Sequence, residues 1–295
     1  MSPSHSSASP SAGWQTARFR IDLSRPRVMG IVNVTPDSFS DGGVHADTKS
    51  GLLHAEALLK AGADILDIGG ESTRPGAPPV PLEEELARVV PVVREAVRWG
   101  VPISVDTYKP EVMAECLALG VDIINDVWAL RRTGAHGRSA EDVVAQDPAC
   151  GVVLMHMHRQ PQDMQVHPMQ GDAVPQVREF LAARAQALLA RGVARERIVL
   201  DYGIGFGKTV QQNLDLLARQ HELLALGWPL LAGWSRKSTL GRITGVDVAA
   251  ERLGASVAAA LLAVQRGAHI VRVHDVAATV QALQVWLALN NRESL

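Results

Sequence analysis

GIVNVTPDSFS, residues 30–40, decides between the two folds that the rest of the chain allows. It grows out of an apolar run, VMGIV (28–32), and such runs recur: DILDI (64–68), PISV (102–105), VDIIN (121–125), VVLMH (152–156), RIVLD (197–201), PLLAG (229–233) and HIVRV (269–273). Between them lie stretches of period near 3.6, such as LEEELARVVPVVREAVRWG (82–100) and AAERLGASVAAALLAVQRGA (249–268), with Gly100 and Gly267 as stop signals. Short apolar strands alternating with amphipathic helices make a parallel sheet covered by helices. Eight βα units over about 270 residues fit a closed (β/α)8 barrel or a doubly wound open sheet. The open sheet should carry a Gly-rich phosphate turn after its first strand, and residues 30–40 do not form one. The pattern predicts the barrel, an α/β TIM barrel, as one domain over residues 17–295.

A second glycine-rich stretch, LDYGIGFGKT (200–209), has the look of a nucleotide cradle. A P-loop needs four residues between its outer glycine and the Gly-Lys pair, so that successive N–H groups can wrap phosphates. Gly203 to Gly207 leaves three, and Tyr202 stands where the outer glycine belongs. The dinucleotide fingerprint fails as well, because Lys208 occupies the place of its third glycine. The remaining reading is that the glycines clear space beside Asp201 at the tip of an apolar strand.

Bulk composition narrows the partners. The 295 residues are 47% hydrophobic and carry a formal net charge of -2 without blocks of like charge. That excludes the electrostatic footprint of a nucleic-acid or anionic-membrane binder, and no stretch approaches the length of a membrane span. Small-molecule partners are expected. Cys116 and Cys150, 34 residues apart, read as two buried free thiols in a reducing cytoplasm. MSPSHSSASPSAGWQT (1–16) lacks a basic start and an apolar core, so it reads as a disordered tail and not as a signal peptide.

In a barrel the reactive groups stand at the carboxyl ends of strands and in the βα loops. The first run ends in Asn33 and a loop rich in Ser, Asp and Gly; the second ends in DIGGESTRPGA (67–77), which presents Asp67, Glu71, Ser72, Thr73 and Arg74. Both loops are longer than a minimal connection and are expected to move. The third run delivers Asp106, the fourth Asn125 and Asp126, the sixth Asp201, the seventh Ser235, Arg236, Lys237 and Ser238, and the eighth Arg272 and His274. With side-chain period two, Arg272 and His274 point one way and Val271 and Val273 the other, which makes an anion site. Asp126 is expected to cap the following helix, and His156 and His158 to be satisfied core or rim histidines. Asp106 and Asp201 are different: an ionised carboxylate at the mouth of an apolar barrel is costly unless a ligand with N–H donors pairs with it. Asp106, Asn125, Asp201 and Lys237 suit a flat heterocycle with an amidine-like edge. Arg272, His274 and Asn33 suit phosphate oxygens and a divalent cation.

NVTPDSFSDGG, ESTRPGA, SVDTYKPEV, IINDV, GIGFGKT, SRKS and RVHDV follow one another in that order at strand ends, and together they resemble the dihydropteroate synthase family over nearly all of residues 27–290. The resemblance implies a folate-pathway transferase that joins 6-hydroxymethyl-7,8-dihydropterin diphosphate to 4-aminobenzoate with loss of pyrophosphate, aided by Mg2+. Carried onto this chain, it implies a pterin slot between Asp106, Asn125, Asp201 and Lys237, lined by Met155 and Phe206. Pyrophosphate would be held by Asn33 (with Mg2+), Thr73, Arg272 and His274. Aminobenzoate would lie beside Thr73, Arg74, Pro75, Phe206, Lys237 and Ser238, under Pro36 and Phe39. Asp106, Lys237, Arg272 and His274 would act in the chemistry, an SN1-like departure of pyrophosphate. A homodimer through helices near the last strands, with 249–266 serving, is also implied. Three positions depart from the family pattern: Tyr202 replaces a usual proline, Trp234 a smaller apolar residue, and WAL (128–130) the usual small residues.

Three rivals share parts of this pattern. A pterin-binding methyltransferase domain should lack the TPDSFSDGG and STRPGA loops. A non-catalytic pterin-binding paralogue should have lost Asn33, Arg74, Arg272 or His274. A phosphosugar barrel enzyme accounts for the anion site but not for acids and amides gathered on one ring.

Overall fold

The computed structural model describes residues 13–35, 43–74, 76–135, 137–161, 163–164 and 166–290, the side chains of 43–47 excepted. The chain begins with a short antiparallel hairpin, β1 (Gly13–Gln15) and β2 (Arg20–Asp22). Eight parallel strands follow: β3 (Arg27–Asn33), β4 (Ile65–Gly69), β5 (Ile103–Asp106), β6 (Ile123–Asp126), β7 (Gly151–Met155), β8 (Ile198–Asp201), β9 (Leu230–Ala232) and β10 (Ile270–Val273). They pair in sequence order, and β10 closes on β3 with Val271 opposite Val28. This is the expected barrel, with each predicted run contributing one strand.

The helices α1 (Gly43–Lys60), α2 (Leu82–Ala96), α3 (Pro110–Ala118), α4 (Ala140–Gln146) and α5 (Ala173–Ala190) each fill one crossover. The crossover after β8 holds two, α6 (Val210–Ala218) and α7 (Gln220–Leu224), and the one after β9 holds α8 (Ser238–Thr244) and α9 (Leu253–Gln265); α10 (Val276–Asn290) ends the described chain. No helix among the described residues is long and apolar enough to cross a membrane.

Side-chain alternation divides the strands between two layers. Val28, Leu66, Ile103, Val105, Leu200, Val271 and Val273 pack outward against the helices. Met29, Ile65, Ile123, Val153, Val199, Leu231 and Ile270 fill the barrel interior. One pleat further toward the carboxyl end, the inward positions become Ile31, Asp67, Asn125, Met155, Asp201 and Arg272, since successive same-face residues are two apart. The apolar layer is thus the floor on which the polar layer stands.

The opposite end of the barrel is closed by the hairpin. Trp14 and Ile21 join the interior cluster, and the Trp14 indole N–H donates to the Arg197 carbonyl at 2.9 Å. Arg18 grips both oxygens of the fully buried Asp122, whose Oδ2 also receives the Ile103 N–H at 2.9 Å. This corrects the tail boundary placed at residue 16: from Gly13 the chain is part of the domain, because Trp14 is 0% exposed. Residues 1–12 lie outside the described part.

Candidate active site

At the carboxyl ends of the strands lies one cavity of about 520 Å³. Asn33, Thr73, Arg74, Asp106, Asn125, Met155, Asp201, Phe206, Lys237, Ser238, Arg272 and His274 all line it. Pro36, Phe39 and Pro75 fall outside the described residues. Val127, Met155, Met164 and Phe206 form an apolar flank continued by Met157, Tyr108 and Trp128. Met164 and Val127 carry no sequence signal of their own, since nothing but the fold brings them to the mouth.

Burial raises the pKa of the Asp201 carboxyl. Its Oδ1 accepts the Gly203 N–H at 2.7 Å. The loop behind it answers the question set by its glycines. Gly203 and Gly207 have φ of 64° and 70°, and a Cβ on Gly203 would fall 1.9 Å from the His156 carbonyl oxygen. The loop is therefore pressed against the end of β7, a conformation and an approach open only to glycine. Lys208 turns inward and donates to the carbonyls of Gly203 (2.8 Å), His156 and Phe206 (3.3 Å each). Where a P-loop lysine reaches for phosphate, this one pins its own loop.

The two halves expected of the site meet through Arg272. Its Nε donates to Asp67 Oδ2 and its Nη2 to Asp106 Oδ2, both at 2.6 Å. Asn125 Nδ2 donates to the same Asp67 oxygen at 2.9 Å. Arg272 is thus not a free anion-binding cation but one held by two carboxylates, and Asp67 is the residue whose importance its sequence position does not reveal. Asp67 Oδ1 and Asp106 Oδ1 are buried without partners among the described residues, and Asp106 borders the cavity. Burial pushes the Asp106 carboxyl up to about 7, against the pull of Arg272 and with the help of the Asp67 charge.

His274 Nδ1 lies 3.0 Å from Ser235 Oγ, and that oxygen also accepts the His274 backbone N–H at 3.1 Å. A hydroxyl proton directed at Nδ1 leaves the neutral ring an Nε2 proton to donate elsewhere. Burial, with Arg272, Arg236, Arg74 and Lys237 nearby, lowers its pKa to about 3, so the imidazole is neutral. Lys237 sits 4.2 Å from the centre of the Phe206 ring, a cation–π contact. Burial and Arg272 bring its pKa down to about 8. Arg236, by contrast, is committed to Asp275 through two hydrogen bonds at 3.0 and 2.6 Å.

Glu71, at the base of the second loop, receives the Tyr108 hydroxyl at 2.8 Å and the Lys109 ammonium, which also pairs with buried Glu85. Asp126 does not cap a helix. Its two oxygens accept the N–H groups of Trp128 and Leu130, both at 2.7 Å, and hold Ala129 and Leu130 at φ of 51° and 60°. The following helix, α4, is capped instead by Ser139 with Asp142. The cause is steric: two adjacent non-glycine residues in the left-handed region need a local clamp. His156 is buried, with its ring edge-on to Phe180 at 4.9 Å, and its Nδ1 has no partner among the described residues. Cys116 and Cys150 are buried free thiols, as expected.

Comparison with known proteins bears on the whole of this arrangement. A family model described as "Pterin binding enzyme" matches residues 29–274. Dihydropteroate synthase of Neisseria meningitidis serogroup B is 54% identical over 281 residues, covering 94% of this chain and 97% of the relative. The crystal structure of Burkholderia cenocepacia dihydropteroate synthase complexed with 7,8-dihydropteroate superposes with a TM-score of 0.86 at 52% identity, covering 96% of this chain and 98% of that one. Xanthomonas albilineans dihydropteroate synthase with 4-aminobenzoic acid gives 0.85 at 51%, covering 92% and 95%. With agreement over almost the full barrel and all the motif-bearing strand ends, the chain belongs to the pterin binding enzyme family and, within it, to the dihydropteroate synthases.

Proposed function

We propose that the cavity condenses 6-hydroxymethyl-7,8-dihydropterin diphosphate with 4-aminobenzoate, giving 7,8-dihydropteroate and pyrophosphate. The observation that carries the reading is the union in one cavity of buried, partly unpartnered carboxylates with the donors Arg272, His274 and Lys237. Asp201 accepts the 2-amino and N3 hydrogens of the pterin, Asn125 and Asp106 take further polar edges, and Lys237 donates to the ring oxygen or N5. Met155 and Phe206 enclose the ring faces. Arg272 keeps Asp67 and Asp106 through Nε and Nη2 and offers Nη1 to the diphosphate, beside the Nε2 proton of His274 and the hydroxyl of Thr73. Aminobenzoate enters beside Thr73, Arg74, Phe206, Lys237 and Ser238, with Pro36, Phe39 and Pro75 completing its surroundings.

The aniline nitrogen is already nucleophilic, so the barrier lies in the departure of pyrophosphate. Arg272 and His274 stabilise the leaving anion, the electron-rich dihydropterin spreads the positive charge, and Asp106 faces that charge as an anion. Pyrophosphate binds first and orders the two long loops, which forms the aminobenzoate pocket. Among the described residues no group of three or more His, Cys, Asp or Glu side chains is placed to hold a metal ion. Asn33 on the cavity wall fits Mg2+ brought in by phosphate oxygens, since this ion keeps few protein ligands in such sites. When bound, the ion neutralises charge on the leaving group.

A cytoplasmic location accords with two free thiols. A homodimer through α9 and α10 accords with the exposed Leu253, Leu262, Val285 and Leu289. The test is to mix purified protein with dihydropterin diphosphate, Mg2+ and labelled 4-aminobenzoate. Release of one pyrophosphate per label entering a pteroate product supports the reading; unchanged label, or methyl transfer to a corrinoid in its place, defeats it.

A further inference from the structure

Behind Asp201 and the Lys237 loop, on the side turned toward the helices, three buried polar side chains form one hydrogen-bonded chain. The Trp234 indole N–H donates to the Tyr202 hydroxyl at 3.3 Å, and that hydroxyl donates to Gln220 Oε1 at 2.9 Å. Gln220 Nε2 donates to the carbonyls of Ala263 and Arg266, both at 3.0 Å, at the end of α9. Exposure of Tyr202, Trp234 and Gln220 is 0%, 1% and 0%, so no solvent can replace a missing partner. The direction of the chain is fixed: indole can only donate, so the tyrosine proton must go to Gln220. Tyr202 and Trp234, two of the departures from the family pattern, thus meet each other. The tyrosine gives the buried indole N–H its acceptor.

Both residues are next to site positions. Tyr202 stands between Asp201 and Gly203, whose N–H is bonded to the Asp201 carboxylate. The Trp234 carbonyl accepts the Lys237 N–H at 3.2 Å. We propose that Tyr202, Trp234 and Gln220 are positioning residues, which fix the separation of Asp201 from Lys237 by tying the ends of β8 and β9 to the carboxyl end of α9. This rests on the reading of the cavity as a pterin site.

The experiment compares wild type, Tyr202→Phe, Trp234→Phe and the double variant. Binding of 6-hydroxymethylpterin is titrated calorimetrically from pH 6 to 10, and binding of pyrophosphate is measured in parallel. Tyr202→Phe strands both the indole N–H and Gln220 Oε1, and is expected to weaken pterin binding about fivefold, with Trp234→Phe costing about twofold. The double variant should bind as Tyr202→Phe does, about fivefold and not about tenfold below wild type, because one break already severs the chain. The alkaline limb of pterin binding, where Lys237 loses its proton, should shift, while pyrophosphate affinity holds. Variants that melt earlier yet bind pterin like wild type, with an unmoved pH profile, would show a purely structural role and overturn the inference. So would a double variant whose loss is the product of the single losses. Should Tyr202→Phe fail to fold, Trp234→Phe and Gln220→Met carry the same readouts. A wild type that binds no pterin would sink the reading of the site and this inference together, whereas variants indistinguishable from wild type sink the inference alone.

Discussion

Replacing Asp67 by asparagine isolates the charge of a residue that never touches the cavity. The side chain is 0% exposed, and its Oδ2 accepts from Arg272 Nε and Asn125 Nδ2. An asparagine oxygen can keep both bonds, and its amide nitrogen then replaces Oδ1, which has no partner among the described residues. Geometry survives, but Arg272 loses one of its two anions and a donor is buried unsatisfied. Unit charges about 4 Å apart interact by about 4 kcal/mol at an effective dielectric near 20. Desolvation of the carboxylate and its repulsion of Asp106 offset much of this, leaving an expected net loss of about 2 kcal/mol. The same change acts on Asp106, held up at about 7 by burial and, in part, by the Asp67 charge. Removing that charge lowers the Asp106 pKa. If ionised Asp106 supports turnover, activity falls as pH drops through about 7 in wild type, and in Asp67→Asn the fall moves to lower pH. The assay is kcat/KM from pH 5 to 9 together with urea unfolding at pH 7.5. An acid limb that stays put or moves upward, or unfolding that is unchanged, would refute the argument that Asp67 orients Arg272 and couples to Asp106.

Lys208→Met should leave three loop carbonyls without their donor and destabilise the protein by about 1–3 kcal/mol. Burial lowers the wild-type Lys208 pKa to about 7, below its value in the unfolded chain, so the unfolded state binds more protons and stability rises with pH above about 7. Urea unfolding at pH 7, 8.5 and 10 should show that rise in wild type and a flatter profile in the variant. Trp14→Ala, which opens the amino-terminal end of the barrel, should cost about 3–5 kcal/mol in thermal or urea unfolding while kcat per folded molecule holds. Aminobenzoate should bind measurably only with pyrophosphate and Mg2+ present; calorimetry that finds equal affinity without them would contradict the binding order.

The barrel was legible because each strand needs one apolar face inward and one outward, and eight such runs at regular spacing leave few architectures. The strand-end rule then gathered Asp106, Asn125, Asp201, Lys237, Arg272 and His274 around one cavity without any knowledge of pairing. What escaped depended on contacts between distant segments. Asp67 is one polar residue among several at the end of the second run; its meaning is set by Arg272, 205 positions away. Lys208 after three glycines looks outward in sequence, and only the approach of His156 and the loop carbonyls turns it inward. The hairpin at 13–22 was hidden by three-residue strands, too short to show a period, and by the Ser-, Pro- and Ala-rich stretch that runs into Trp14. Tyr202 and Trp234 each stood out as departures, but their contact required β8 and β9 to be neighbours.

The central claim is that Asp201 binds the amidine-like edge of a pterin. Asp201→Asn keeps the shape and can still accept the Gly203 N–H, but its amide cannot receive two further N–H groups. Calorimetric titration of 6-hydroxymethylpterin into folded wild type and Asp201→Asn is the most direct check. The account predicts a loss of about 2–4 kcal/mol, a dissociation constant roughly 30- to 1000-fold higher. A variant that binds the pterin within threefold of wild type would contradict it.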